Sequence, residues 1–102
     1  MTLTPEQAKN HRVPDTRGHQ LFRRWLREER LSLRLAAVRL GVTSTTIANY
    51  KCRPPRRAPA GDVILAIQVA SGGAINPEDW LTHEEQKRVA AVANRMAVGA
   101  LR

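Results

Sequence analysis

Residues 32–50, Ser-Leu-Arg-Leu-Ala-Ala-Val-Arg-Leu-Gly-Val-Thr-Ser-Thr-Thr-Ile-Ala-Asn-Tyr, set a geometric problem and solve it. Ser32 offers a cap for a helix over Leu33 to Leu40, Gly41 offers its end, and Thr43 offers the cap of the next helix. Two short helices that cross steeply need a small residue at their closest approach, and Ala37 is small. The turn between them needs a residue that takes positive φ without a steric cost, and Gly41 supplies it. Ala36, Leu40, Val42 and Ile47 then close a small apolar core under the turn, with Tyr50 anchoring its far end. The rest of the chain must be built around this helical pair.

The remaining segments read as helices too. The aromatics are only Phe22, Trp25, Tyr50 and Trp80, so Leu, Ala and Val must form the core, which suits packed helices better than a β-sandwich. No segment alternates with period two. Thr4-Pro5-Glu6-Gln7 offers a cap, a proline at the first helical position and a capping-box Gln, and Val13-Pro14 ends whatever turns follow. A helix capped by Asp15 or Thr16 runs to about Arg30. Leu21, Phe22, Trp25 and Leu26 share its inner face, and Arg23, Arg24, Arg27 and Glu28 form a solvated face opposite.

Pro54, Pro55 and Pro59 break the chain after Tyr50. A further helix, capped by Asp62 or begun at Pro59, should turn Val63, Ile64, Ile67 and Ala70 inward and stop at Gly72-Gly73. Asn76-Pro77-Glu78-Asp79 starts a short turn that ends near Trp80-Leu81, with Trp80 against the core. Thr82-His83-Glu84-Glu85 is the capping box of a last helix. The expectation is an all-α chain with an accessory segment over 1–14, a helical domain over 15–81 and a C-terminal helix over 82–102. At 102 residues one core is feasible without metal or disulfide support.

Charge divides the chain. Residues 1–60 hold thirteen Lys and Arg against four Asp and Glu, whereas residues 61–102 hold four against five. Between Arg30 and Gly61 there is no acidic residue, while Arg30, Arg34, Arg39, Lys51, Arg53, Arg56 and Arg57 fall there. Such a stretch seeks polyanions. Most of the cations are Arg, which pairs in bidentate fashion with phosphate and with guanine edges.

Ala37, Gly41, Val42 and Ile47 in this register resemble the helix-turn-helix of the lambda-repressor/Cro-like (Xre-type) regulators, over roughly residues 20–72. The resemblance implies a compact five-helix domain with an additional C-terminal helix, the second motif helix entering the major groove of double-stranded DNA. By position, Ser44, Thr45 and Asn49 would face base edges. Asn49 has the strongest claim, because its amide can pair with adenine N6 and N7. Thr43, either as a cap alone or as a contact, and Thr46 would sit near phosphates, as would Arg34, Lys51, Arg53, Arg56 and Arg57. The implied function is a phage- or bacterial-type transcription regulator, a dimeric repressor on a near-palindromic operator.

Two departures stand out: Leu35 and Val38 are apolar where the family is usually polar, and Lys51 replaces a frequent acid. The N-terminal segment or a partner should cover Leu35 and Val38. Val89, Val92, Ala93, Met96 and Ala100 form a stripe on the last helix that either folds back on the domain or, as favoured here, pairs with its counterpart in a homodimer. An alternative is an antitoxin or adaptor that autoregulates through the same domain and engages a protein through that helix or the Leu35/Val38 patch. RNA binding through the arginine-rich loop is weaker, since Tyr50 is the only aromatic near it.

Other chemistry has little to stand on. Cys52 is the only cysteine, and His11, His19 and His83 lack zinc-ligand spacing, so neither a metal nor a cofactor is expected. The carboxylates read as caps and solvated faces, and an enzyme is not expected. No apolar run reaches membrane-spanning length and the N-terminus lacks a signal-peptide pattern, so the expected location is cytoplasmic, on the nucleoid when DNA is bound.

Overall fold

Thr16 opens the first helix with a capping box of unusual chemistry. Its hydroxyl accepts from the His19 N–H at 3.4 Å, and its own N–H donates back to His19 Nδ1 at 3.3 Å, a role Glu or Gln ordinarily takes. The computed structural model in which this is seen describes residues 12–100, with side chains as far as Ala97, so the accessory segment expected over 1–14 lies almost wholly outside the described residues. The described elements are α1 (Arg17–Glu28), α2 (Leu33–Leu40), α3 (Ser44–Lys51), α4 (Gly61–Ala70), a 3₁₀ turn (Pro77–Trp80) and α5 (His83–Ala100). Among the described residues there is no strand, which agrees with the all-α expectation.

Three helices end in the same way. After α2, Gly41 sits at φ 69° and Val42 N–H donates to Ala37 C=O; after α4, Gly72 sits at φ 64° and Gly73 N–H donates to Gln68 C=O. After α1 the same left-handed position is held by Arg30 at φ 52°, with Leu31 N–H on Leu26 C=O at 2.9 Å. This is the Schellman pattern, and glycine normally takes its left-handed residue because it has no Cβ to clash.

The caps expected at Ser32, Thr43 and Thr82 are present, accepting from Leu35, Thr46 and Glu85 N–H. The start of α4 differs from expectation. Its cap position is Ala60, whose side chain makes no hydrogen bond, and Asp62 lies inside the first turn, where its charge meets the positive helix end.

The core is drawn from every element before α5. Phe22, Trp25 and Leu26 of α1 meet Ala36, Ala37 and Leu40 of α2, Ile47 and Tyr50 of α3, Ile67 of α4, and then Ile75 and Trp80. Phe22 is fully buried, its ring 5.9 Å from Trp25, 6.1 Å from Tyr50 and 6.2 Å from Trp80. Ala70, expected inward, is exposed: α4 gives way to the Ser71–Gly73 turn there, so its inward stripe stops at Ile67.

α5 is different in kind. Every described side chain from His83 to Ala97 is exposed, and only Gln86, donating to Glu78 C=O and Leu81 C=O, holds its first turn to the domain. No other described part of this chain therefore covers the Val89–Met96 stripe; the side chain of Ala100 lies outside the described residues. Among the described residues, no helix is long and apolar enough to cross a membrane.

Candidate nucleic-acid interface

The pair α2–α3 presents one end to solvent. Ile47 and Tyr50 turn α3 into the core, which leaves Ser44 and Thr45 exposed on its first turn and Asn49 half-buried one turn further on the same side as Thr45. The Asn49 side chain has no hydrogen-bond partner among the described residues. Thr43 serves as the cap, as one of the two sequence readings had it: its Oγ1 accepts from Thr46 N–H at 3.1 Å. Thr43 Oγ1 and Thr46 Oγ1 also share one hydrogen bond of 2.9 Å, which leaves one hydroxyl proton of the pair free.

The segment that follows α3 is fixed by its backbone. Asn49 C=O accepts from Arg56 N–H at 2.9 Å and Arg57 N–H at 3.4 Å, and Pro55 C=O accepts from Val13 N–H at 2.9 Å. From α1, Arg23 donates to Cys52 C=O at 3.4 Å and His19 Nε2 donates to Arg57 C=O at 2.9 Å. Pro55 and Pro59 are buried beneath it. The side chains of Arg53, Arg56 and Arg57 stay exposed on this held backbone, as do Lys51 and, on α2, Arg34. The ion pairs among the described residues are Arg17–Asp79, Arg23–Asp15, Arg24–Glu28 and Lys87–Glu84. None of the five cations of this face is in one.

Two residues that the sequence reading set aside hold this face in place. His19 was considered only as a zinc ligand; it is fully buried, edge-on to Trp80 at 5.0 Å, and links the start of α1 to the arginine segment. The Thr-x-x-His spacing was the available signal. Arg23, expected on a solvated face, is instead 5 % exposed, with both Asp15 carboxylate oxygens at 2.9 Å from its Nη2. Cys52 donates its thiol to Ala48 C=O, and no group of three or more potential metal ligands exists among the described residues.

Burial pushes the His19 imidazole below its ordinary value. The Arg57 carbonyl and the Asp15 charge pull it up, and the Arg23 charge pulls it down again, but desolvation prevails. Because Nδ1 accepts from Thr16, protonation there also breaks the capping box. The sign follows: the unfolded chain takes up this proton first, so the stability contributed by His19 is complete above pH about 6.5 and is lost as pH falls from there toward the depressed native value. Urea midpoints are therefore expected to drop between pH 7.5 and pH 5.5. A His19→Gln chain is expected to lack that step. An equal drop in both chains would assign it elsewhere.

Two apolar stretches remain uncovered among the described residues. Leu35 and Val38 on α2 are 53 % and 75 % exposed, and on α4 Leu65 and Val69 are exposed near Arg39. Whether residues 1–11 cover Leu35 and Val38, as the sequence suggested, lies outside the described residues. Comparison of the chain with known protein families, with curated proteins and with solved structures finds no match.

Proposed function

We propose that this chain is a sequence-specific, double-stranded DNA-binding transcription regulator of the lambda-repressor/Cro-like kind. In this reading α3 lies in the major groove with Ser44, Thr45 and Asn49 toward base edges. Arg34, Lys51, Arg53, Arg56 and Arg57 meet phosphates, with Thr46 and the free hydroxyl proton of the Thr43/Thr46 pair beside them. The observation that carries the reading is the combination on one face. An open helix surface of hydroxyl and amide groups is followed directly by a segment whose backbone is fixed and whose cations are in no ion pair among the described residues. Fixing the backbone beforehand lowers the entropy lost when the arginines engage a phosphate chain.

The α5 stripe supports the dimeric form of this proposal. Val89, Val92 and Met96 are 57 %, 53 % and 71 % exposed, and with Ala93 they surround an open apolar groove. A two-fold copy would cover it and set two α3 helices on half-sites about 34 Å apart, as repression of a near-palindromic operator requires. The antitoxin or adaptor alternative draws on the uncovered Leu35 and Val38, which a protein partner would bury. Light scattering of the purified protein separates the two, since a self-contained homodimer favours the repressor.

Asn49 gives the residue-level test. Duplexes selected from a random pool should lose about 1–3 kcal/mol of affinity when Asn49→Ala is introduced, with relaxed preference at one base step. Random duplex should be bound as before. Equal losses on selected and random DNA would take Asn49 out of the base-reading set.

A further inference from the structure

The ends of α1 and α3 enclose a pocket of about 530 Å³, of which the proposed DNA contacts use only one rim. Arg23, Arg27 and Arg30 line it from α1 and its terminus, and Lys51 and Arg53 from the end of α3. Leu26 and Leu31, joined by the hydrogen bond that closes α1, form its apolar wall, and no carboxylate among the described residues lines it. A volume of this size suits a small-molecule group.

Three observations point to an anion as the ligand of this pocket. First, only Arg23 of the five cations has an ion-pair partner among the described residues, so four like charges share one cleft. Helix C-termini favour nearby cations, but each terminus carries only about half a unit of opposing charge, and the effect fades within a turn. Second, Arg23 is almost fully buried, yet its Nε–H has no hydrogen-bond partner among the described residues. An unpaired buried donor on a charged group is costly, and a negative charge in the pocket beside this guanidinium offsets part of that cost without contact with Nε, which is closed to solvent. Third, Arg30 occupies the left-handed position that ends α1, where glycine would be unstrained. The backbone is held in an unfavourable conformation for arginine at the very residue that puts a guanidinium on the pocket.

We infer that this pocket binds a phosphoryl anion of two or more negative charges, its oxygens shared among Arg27, Arg30, Lys51 and Arg53, beside the buried Arg23 guanidinium. Guanidinium groups favour phosphate because their paired N–H donors match its oxygens. Such oxygens can belong to a free oligophosphate or to consecutive phosphates of a nucleic-acid backbone. Only the second source rests on the DNA-binding reading above.

The test uses the whole protein and inorganic pyrophosphate at low ionic strength, with calorimetry for affinity and the Arg23 Nε–H proton resonance for position. Saturable binding of one pyrophosphate per chain is expected, with a shift of that resonance. Arg27→Ala and Arg30→Gly should each weaken binding by about tenfold or more, whereas Arg88→Ala on α5 should leave it unchanged. Arg30→Gly should also raise the melting temperature, since it relieves the left-handed strain, so its loss of binding cannot be laid to misfolding. Displacement of pyrophosphate by random-sequence duplex assigns the site to backbone phosphates, and simultaneous binding assigns it to a free oligophosphate. If the protein binds no duplex at all, the pyrophosphate result still decides the pocket. Absence of saturable binding, or binding untouched by Arg27→Ala and Arg30→Gly, would overturn the inference.

Discussion

Replacing Gly18 with alanine is expected to cost the fold about 3 kcal/mol, at the upper end for overpacking a core. The sign is the point of interest, because Gly→Ala inside a helix ordinarily stabilises by roughly 0.5–1 kcal/mol. Gly18 lies in the first turn of α1, directly under the indole of Trp80, and an added Cβ would stand 2.7 Å from Cε3 and 2.8 Å from Cε2 of that ring. The ring has little room to retreat: Trp80 is 6 % exposed, with His19 at 5.0 Å and Phe22 at 6.2 Å. Moving it would open the contact between α1 and the 3₁₀ turn and disturb the His19 link to the arginine segment. A urea titration reads the effect directly. A variant as stable as the parent would mean that the 3₁₀ turn does not press on α1 as described.

Simultaneous Arg53→Ala, Arg56→Ala and Arg57→Ala is expected to weaken binding to every duplex by roughly a thousandfold, about tenfold for each charge-assisted contact. The dependence of log K on log salt should flatten by about three units, because about 0.9 of a counterion is released for each phosphate neutralised. The fold should be unaffected. The three side chains are exposed and outside any ion pair among the described residues, and the segment is held by backbone groups that alanine retains, including Asn49, Pro55 and Arg57 carbonyls. Circular dichroism and the urea midpoint check that expectation. Unchanged DNA affinity in a folded triple variant would remove this segment from the interface.

What the sequence revealed depended on how far apart the interacting groups lie in the chain. Ser32, Thr43 and Thr82 each cap a backbone group three residues ahead, and Gly41 closes α2 within five, so these features follow from local spacing. Ile47 and Tyr50 were readable in the same way, and with them the open side of α3. Arg23 shows where that logic stops. By helical position it belongs among charged neighbours, but Asp15, eight residues back, and Cys52, far ahead, give it partners that periodicity does not contain. The His19–Arg57 bond spans 38 residues and was equally hidden.

Asp62 was misplaced for a different reason. Pro59 and Asp62 both offered a helix start, and the choice fell to a residue with no capping side chain at all. The α5 stripe was visible as a pattern, yet a pattern on one helix does not say which surface it meets, and no other described part of this chain covers it.

The central claim is that α3 and the segment after it form a duplex-binding face, and a salt titration against double-stranded oligonucleotides tests it most directly. With a duplex selected from a random pool, fluorescence anisotropy should give binding whose log K falls with log salt at a slope of roughly −4 to −5 per bound subunit, for about five phosphate contacts each. Random duplex should bind more weakly with a similar slope. No duplex binding at low ionic strength, or preference for RNA hairpins at physiological salt, would contradict it.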